Sequence, residues 1–263
     1  MTDALLITIP EFSAATQGAC HFFGTRQAGH LRPGEHGNRD VSATEQSLRS
    51  DSFPLRAQLN DCAVVAVKQV HGTDALVVSD AMPSTDLVER GWDALVTDRV
   101  GVCLTIKTAD CVPVLLHDTR RGVIAAIHAG WRGAVAGILP KTLETMRSRF
   151  GSAEADVQVA IGPSAGVCCY EVDAPVLARV REDYPNWRQV VERHDAARDR
   201  AHLHLHALLT HQAETAGVAA ERVHRAKDCT ICQPERFFSY RREGQARGTM
   251  ISGIVRPVTR RAA

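Results

Sequence analysis

The stretch Lys107–Gly133, KTADCVPVLLHDTRRGVIAAIHAGWRG, constrains this chain more than any other. Its two short apolar runs, Val112–Leu116 and Val123–Ile127, are rich in β-branched residues and are separated by a turn holding Asp118-Thr119-Arg120-Arg121-Gly122. That pattern predicts adjacent antiparallel strands. Cys111 precedes the first run and His128 ends the second, so the pairing brings a thiol and an imidazole to one end of the hairpin. The natural third ligand is His71, in Lys68-Gln69-Val70-His71-Gly72, which follows the apolar strand Cys62–Val67. Two imidazoles and a thiolate suit zinc above other ions, and a three-ligand set leaves the fourth position open, as in a catalytic site.

Length and charge narrow the rest. The 263 residues can bury a sizeable core, and nothing in them demands more than a single domain over 1–263. Lys and Arg number 31 against 30 for Asp and Glu, a formal charge of +1, which supplies no field for nucleic acid or an anionic membrane. Apolar runs are too short to span a membrane and the N-terminal stretch lacks a secretory pattern, so the expected location is cytoplasmic. The eight cysteines are then expected to be reduced thiols, some of them ligands.

Strands are expected at Leu5–Ile9, Cys20–Phe23, Ala75–Val78, Trp92–Thr97, Val102–Ile106, Asp156–Ile161 and Thr249–Ile254. Residues Gly24–Asp40 read as a long loop, and Val41–Ser50 as a short helix with Ser42 and Glu45 at capping-box spacing. The pattern predicts helices over Ala134–Phe150, Val172–Tyr184 and Leu203–Ala216, and an aromatic strand at Phe237–Tyr240. A Gly-rich turn from strand to helix at Ala129–Gly133 suits an anion such as phosphate. His202, His204, His206 and His211 are assigned to surface or packing roles, since no acidic partner is evident. Cys229-Thr230-Ile231-Cys232 has half of a zinc-ribbon pattern, but no second CxxC exists, and vicinal Cys168 and Cys169 read as small residues beside a turn.

Taken together, KQVHG (68–72), TADCVPVLL (108–116), HAGWRG (128–133), AIGPSAGVCCYEV (160–172) and CTICQPERFFSYRREGQARG (229–248) resemble the laccase-domain (YfiH-like) family. Its members are described variously as polyphenol oxidases, purine nucleoside phosphorylases and peptidoglycan editing factors. The resemblance implies an α+β fold with a layered α/β/β/α arrangement of mixed sheets. It implies zinc on His71, Cys111 and His128, the same trio that the hairpin suggests. At the N-terminal side His21-Phe22-Phe23-Gly24-Thr25-Arg26 matches, whereas the family's following Gly-Gly and Ser-Leu-Asn segments are absent.

The function this implies is zinc-dependent phosphorolysis of adenosine, inosine or methylthioadenosine, with an adenosine deaminase side activity. The partners are then a purine nucleoside and phosphate; the resemblance does not fix the oligomeric state. Arg26 and Arg241 are assigned to phosphate or ribose, with Gln69 and Arg132 as further substrate contacts. Asp110 is the candidate catalytic carboxylate, as proton donor or as orienter. Beside a non-enzymatic, zinc-stabilised partner protein, which the altered N-terminal loop would favour, two other enzyme classes compete. One is a metal-free cysteine hydrolase of cell-wall precursors with Cys111 as nucleophile. The other is copper-dependent polyphenol oxidation, for which a single site with two imidazoles is a poor match to a multicopper enzyme, although copper can occupy it.

Overall fold

A computed structural model of the protein describes residues 5–16, 18–32, 41–79, 90–246 and 248–258. Its strands, in chain order, are β1 Cys20–Phe23, β2 His30–Leu31, β3 Ala63–Val65, β4 Ala75–Val77, β5 Ala94–Thr97, β6 Val102–Thr108 and β7 Val112–Asp118. They continue with β8 Ile124–Ala129, β9 Val157–Ile161, β10 Glu171–Val172, β11 Val191–Asp195, β12 Arg200–Leu203, β13 Val223–Arg225 and β14 Thr249–Val255. One mixed sheet has the order β1-β14-β6-β3 with β2 also on β14, a second the order β13-β9-β7-β8-β5-β4, and a small third the order β10-β12-β11.

The period of two in the strands builds the layers. On β7, Val114 and Leu116 face helices, while Leu115 faces the other sheet; on β8, Ala125 and Ile127 alternate with Ile124 and Ala126 in the same way. Leu115, Ala126 and Leu95 meet Phe23, Leu104, Ile106 and Ile254 of the first sheet, forming a sheet-on-sheet core. The far face of the first sheet, with Phe22, Cys103 and Ile251, is covered by Leu48 and Leu59 from the helices Val41–Arg49 and Arg56–Leu59. The far face of the second is covered by the helices Ile138–Phe150, Ala174–Asp183 and Leu205–Thr215. The result is the expected α/β/β/α layering.

Several local expectations need correction. Leu5–Ile9 contributes only an isolated bridge from Ile7 to Phe23, and Pro10 then starts a helix, Pro10–Ala15. The helix expected over Ala134–Phe150 is two helices, Trp131–Val135 and Ile138–Phe150, because Gly137 takes φ +82° between them. The first has five residues, too short a dipole to serve as an anion site, so the strand-to-helix turn acts by placing Trp131 and Arg132. Helix Leu205–Thr215 starts after β12, which puts His202 on a strand, and Phe237–Ser239 precedes a one-turn helix, Tyr240–Glu243. The hairpin β11–β12 has no apolar alternation on β11, which is why the sequence pattern misses it. Of the loop expected at Gly24–Asp40, residues 33–40 lie outside the described residues.

Candidate metal centre

The register of the second sheet delivers the ligands to one end. The parallel strands β4 and β5 start there, β8 runs antiparallel to β5 and ends there, and β7 starts opposite the end of β8 with Pro113 paired to His128. Cys111, His128 and the His71 turn therefore converge, with all their ligand atoms within 4.8 Å of one another. The Cys111 Sγ lies 3.8 Å from His71 Nε2, and the two imidazole rings stand edge to face at 4.8 Å. His128 is buried, Cys111 half-buried and His71 exposed, so the cluster is open on one side.

Asp93, which sequence reasoning missed, fixes this geometry. It is fully buried just before β5. Its carboxylate accepts the Nδ1–H of His128 at 2.7 Å, which commits that ring's Nε2 to the cluster. The same carboxylate accepts backbone N–H groups from Val70 at 3.2 Å, His71 at 2.9 Å and Gly72 at 2.6 Å. These bonds support His71 in the left-handed region at φ +60°, a conformation that is uncommon for a non-glycine residue. The one available signal was an acidic residue set against the apolar run Ala94-Leu95-Val96. Gly130 completes the fit: a Cβ there would stand 2.6 Å from His71 Cδ2 and 3.3 Å from the Cys111 sulfur.

The electrostatics match a metal-ligand set. Burial pushes the Cys111 thiol up, but the His128 charge and hydrogen bonds from His128 and His71 outweigh it and bring it down to about 6. Burial alone would lower His128, yet the Cys111 thiolate and Asp93 raise it to about 9. The pair is a thiolate beside an imidazolium, and a cation bound there would take the place of the imidazolium proton. The donor set, the directed Nε2 and the room left by Gly130 all fit a borderline-soft ion such as zinc.

The cluster opens into a cleft of about 710 Å³. Gln69, Asp110, Arg132 and Arg241 all line it, together with Trp131, Tyr170 and Tyr240. Gln69 spends both ends of its amide on the Lys107 backbone, donating to its carbonyl at 2.7 Å and accepting its N–H at 2.8 Å. The Asp110 carboxylate accepts from Thr230 Oγ1 at 2.6 Å, Ser239 Oγ at 3.0 Å and the Arg241 N–H at 2.7 Å. Arg241 donates from Nη1 to the Glu171 carbonyl at 2.9 Å and lies 5.2 Å from the Tyr170 ring centre. The Arg132 guanidinium stacks 4.5 Å from the Trp131 ring. Arg26 is placed elsewhere: its Nε donates to the Phe237 carbonyl, it pairs with Glu243, and it lies 4.1 Å from the Phe238 ring centre. It is not part of the cleft wall.

The histidine-rich segment has structural partners, as expected. His202 bonds the Val167 carbonyl, His206 the Ser164 hydroxyl and His211 the Tyr184 hydroxyl, while His204 caps its helix. Cys168 and Cys169 sit in a turn, as expected, but they are not buried there: although distant in sequence from Cys229 and Cys232, they meet them in one cluster, which the sequence reading did not foresee.

The family described as multi-copper polyphenol oxidoreductase laccase matches residues 21–257. The chain belongs to that family. Among similar family members is a purine nucleoside phosphorylase of Bacteroides thetaiotaomicron, 35% identical over 247 residues that cover 89% of this chain and 90% of the relative. Another is adenosine deaminase RL5, from an unknown prokaryotic organism, 34% identical over 210 residues, 78% of this chain and 79% of the relative. The crystal structure of the Bacillus licheniformis hypothetical protein YfiH superposes with a TM-score of 0.80 at 27% identity, covering 97% of this chain and 98% of that one. The family name speaks of several coppers, yet among the described residues only the cluster of His71, Cys111 and His128 contains histidine. No helix among the described residues is long and apolar enough to cross a membrane.

Proposed function

We propose that the chain is a zinc-dependent purine nucleoside phosphorylase with an adenosine deaminase side activity. The observation that carries this reading is the opening of the His71, Cys111 and His128 cluster into a cleft walled by two arginines and three aromatic rings. Relatives named for both activities support it.

In phosphorolysis a phosphate oxygen bonds to the anomeric carbon while the bond from that carbon to the purine nitrogen breaks. The base leaves with the electron pair and takes up a proton. Arg241 is fixed for the anion by Asp110 on its backbone N–H and the Glu171 carbonyl on Nη1, which leaves its remaining guanidinium N–H groups for phosphate or ribose. Arg132, braced on Trp131, offers a second cation. Burial, then the nearby Cys111 and Asp110 charges, push the Tyr170 phenol up to about 12, so it stays protonated and able to donate a hydrogen bond. A zinc ion on the three ligands supplies Lewis-acid stabilisation of developing negative charge. Gln69 shapes the wall, because its amide is already committed to Lys107. Asp110 orients Arg241.

The test is to incubate tag-free protein of known metal content with adenosine, with and without phosphate, beside Cys111→Ala. Adenine only with phosphate, inosine without it, and loss of both together with the metal in the variant support the reading. Bound zinc with no conversion of adenosine, inosine or methylthioadenosine overturns it.

One observation favours a second reading. Cys111, His128 and Asp93 form a thiolate, imidazolium and carboxylate relay, the arrangement of a cysteine hydrolase. His71 argues against it, since that relay has no use for a second imidazole on the same sulfur. Activity that survives chelation and disappears in step with alkylation of Cys111 would establish the hydrolase.

A further inference from the structure

The loop after β9 and the loop before the helix Tyr240–Glu243 meet through their cysteines. Cys232 Sγ lies 3.3 Å from Cys168 Sγ and 3.0 Å from Cys169 Sγ, and the four sulfurs, with Cys229, all lie within 4.8 Å of one another. Zinc–sulfur bonds of about 2.3 Å in a tetrahedron place sulfurs about 3.8 Å apart, so four thiolates at this spacing surround a volume of the right size. The cluster has no pairwise order: Cys232 stands against both vicinal cysteines, whereas disulfides would sort four sulfurs into two pairs. Backbone groups support the sulfurs. The Gly166 N–H donates to Cys229 Sγ at 3.2 Å, and Gly166 has no Cβ, which would stand 3.2 Å from that sulfur and 3.3 Å from Cys168 Sγ.

We propose that Cys168, Cys169, Cys229 and Cys232 form a second metal site, a four-thiolate zinc site that is structural and separate from the open cluster in the cleft. Four protein ligands close the coordination shell, which leaves no position for substrate. The site's position gives it a task. Cys169 adjoins Tyr170, and Cys229 adjoins Thr230, which bonds Asp110 and through it the Arg241 backbone. Direct backbone contacts between the loops are few: the Thr230 N–H donates to the Ser164 carbonyl at 2.9 Å, beside an isolated bridge between Ser164 and Cys229. The metal fastens the two walls of the cleft that carry Tyr170 and Arg241.

The inference does not depend on the reaction proposed above, and its test reads metal content and spectra. Zinc is counted per chain in the full-length protein, in Cys111→Ala and in the double variant Cys229→Ser/Cys232→Ser. The expectation is about two zinc ions in the parent and about one in each variant. The ion retained by Cys111→Ala, exchanged for cobalt, should show the strong thiolate-to-cobalt charge-transfer absorption of a four-sulfur shell. Because that readout uses Cys111→Ala, it holds even where the double variant fails to fold. A Cys111→Ala protein without zinc overturns the proposal. So does an intact mass showing disulfides among these four cysteines in the freshly isolated protein, or a double variant that keeps the parent's metal content.

Discussion

Asp93 makes the clearest prediction at the scale of one residue. Its carboxylate serves both the His128 ring and the backbone of the His71 turn, so Asp93→Asn weakens both ligands at once. Loss of such an outer partner should cost about 10- to 100-fold in metal affinity, measurable by competition with a coloured chelator. Gly130→Ala should do similar harm by a different route, since its Cβ meets the His71 ring while the sheets remain intact; metal content falls and circular dichroism does not change. Protons compete with metal in a defined window. At pH 7 Cys111, at about 6, is mostly thiolate, while His128, at about 9, holds its proton. Binding should therefore release about one proton per metal from His128, and affinity should rise about tenfold per pH unit between pH 7 and 9. Calorimetry in buffers of different ionisation heat checks both. The convergence of His71, Cys111 and His128 was legible in sequence because each closes or opens an apolar strand. Asp93 was not, because only the parallel pairing of β4 with β5 brings it to the His71 turn.

Among elements, the turn between β6 and β7 and the C-terminal segment act as one unit through Asp110. That residue is held at φ +90° and accepts from Thr230, Ser239 and the Arg241 N–H. Asp110→Asn should lower stability by about 2–4 kcal/mol, since it weakens hydrogen bonds to a buried carboxylate. If Asp110 orients Arg241, the variant's KM for phosphate rises while the pH profile of kcat keeps its shape. A proton donor would instead remove one limb of that profile. The hairpin β7–β8 was readable from its apolar runs and turn, and so were most central strands. The polar hairpin β11–β12, the break at Gly137 and the meeting of the two cysteine pairs were not. Each depends on tertiary contacts between segments whose local composition favours no regular pattern.

For the whole molecule, the sheet-on-sheet core is the main store of stability. Leu115, fully buried in the core between the sheets, does not line the cleft, and Leu115→Ala should cost about 2–5 kcal/mol in denaturant unfolding with the cluster in the cleft intact. Layering could be expected from family resemblance, but which side chain faces which layer follows from the observed register. That scaffold and the ligands respond to acid at separate thresholds. Hydrogen bonds and charge from His128, with the Gly72 and His71 amides, overcome burial and hold the Asp93 carboxyl below its ordinary range. Its stabilising contribution is present above the usual carboxylate value and is lost only as pH falls through its depressed folded value. Cys111 and His128 take up protons well before that point. Mild acid should thus strip the centre while its mould stays set, so the emptied protein can be reloaded with another ion on return to neutral pH without passing through an unfolded chain.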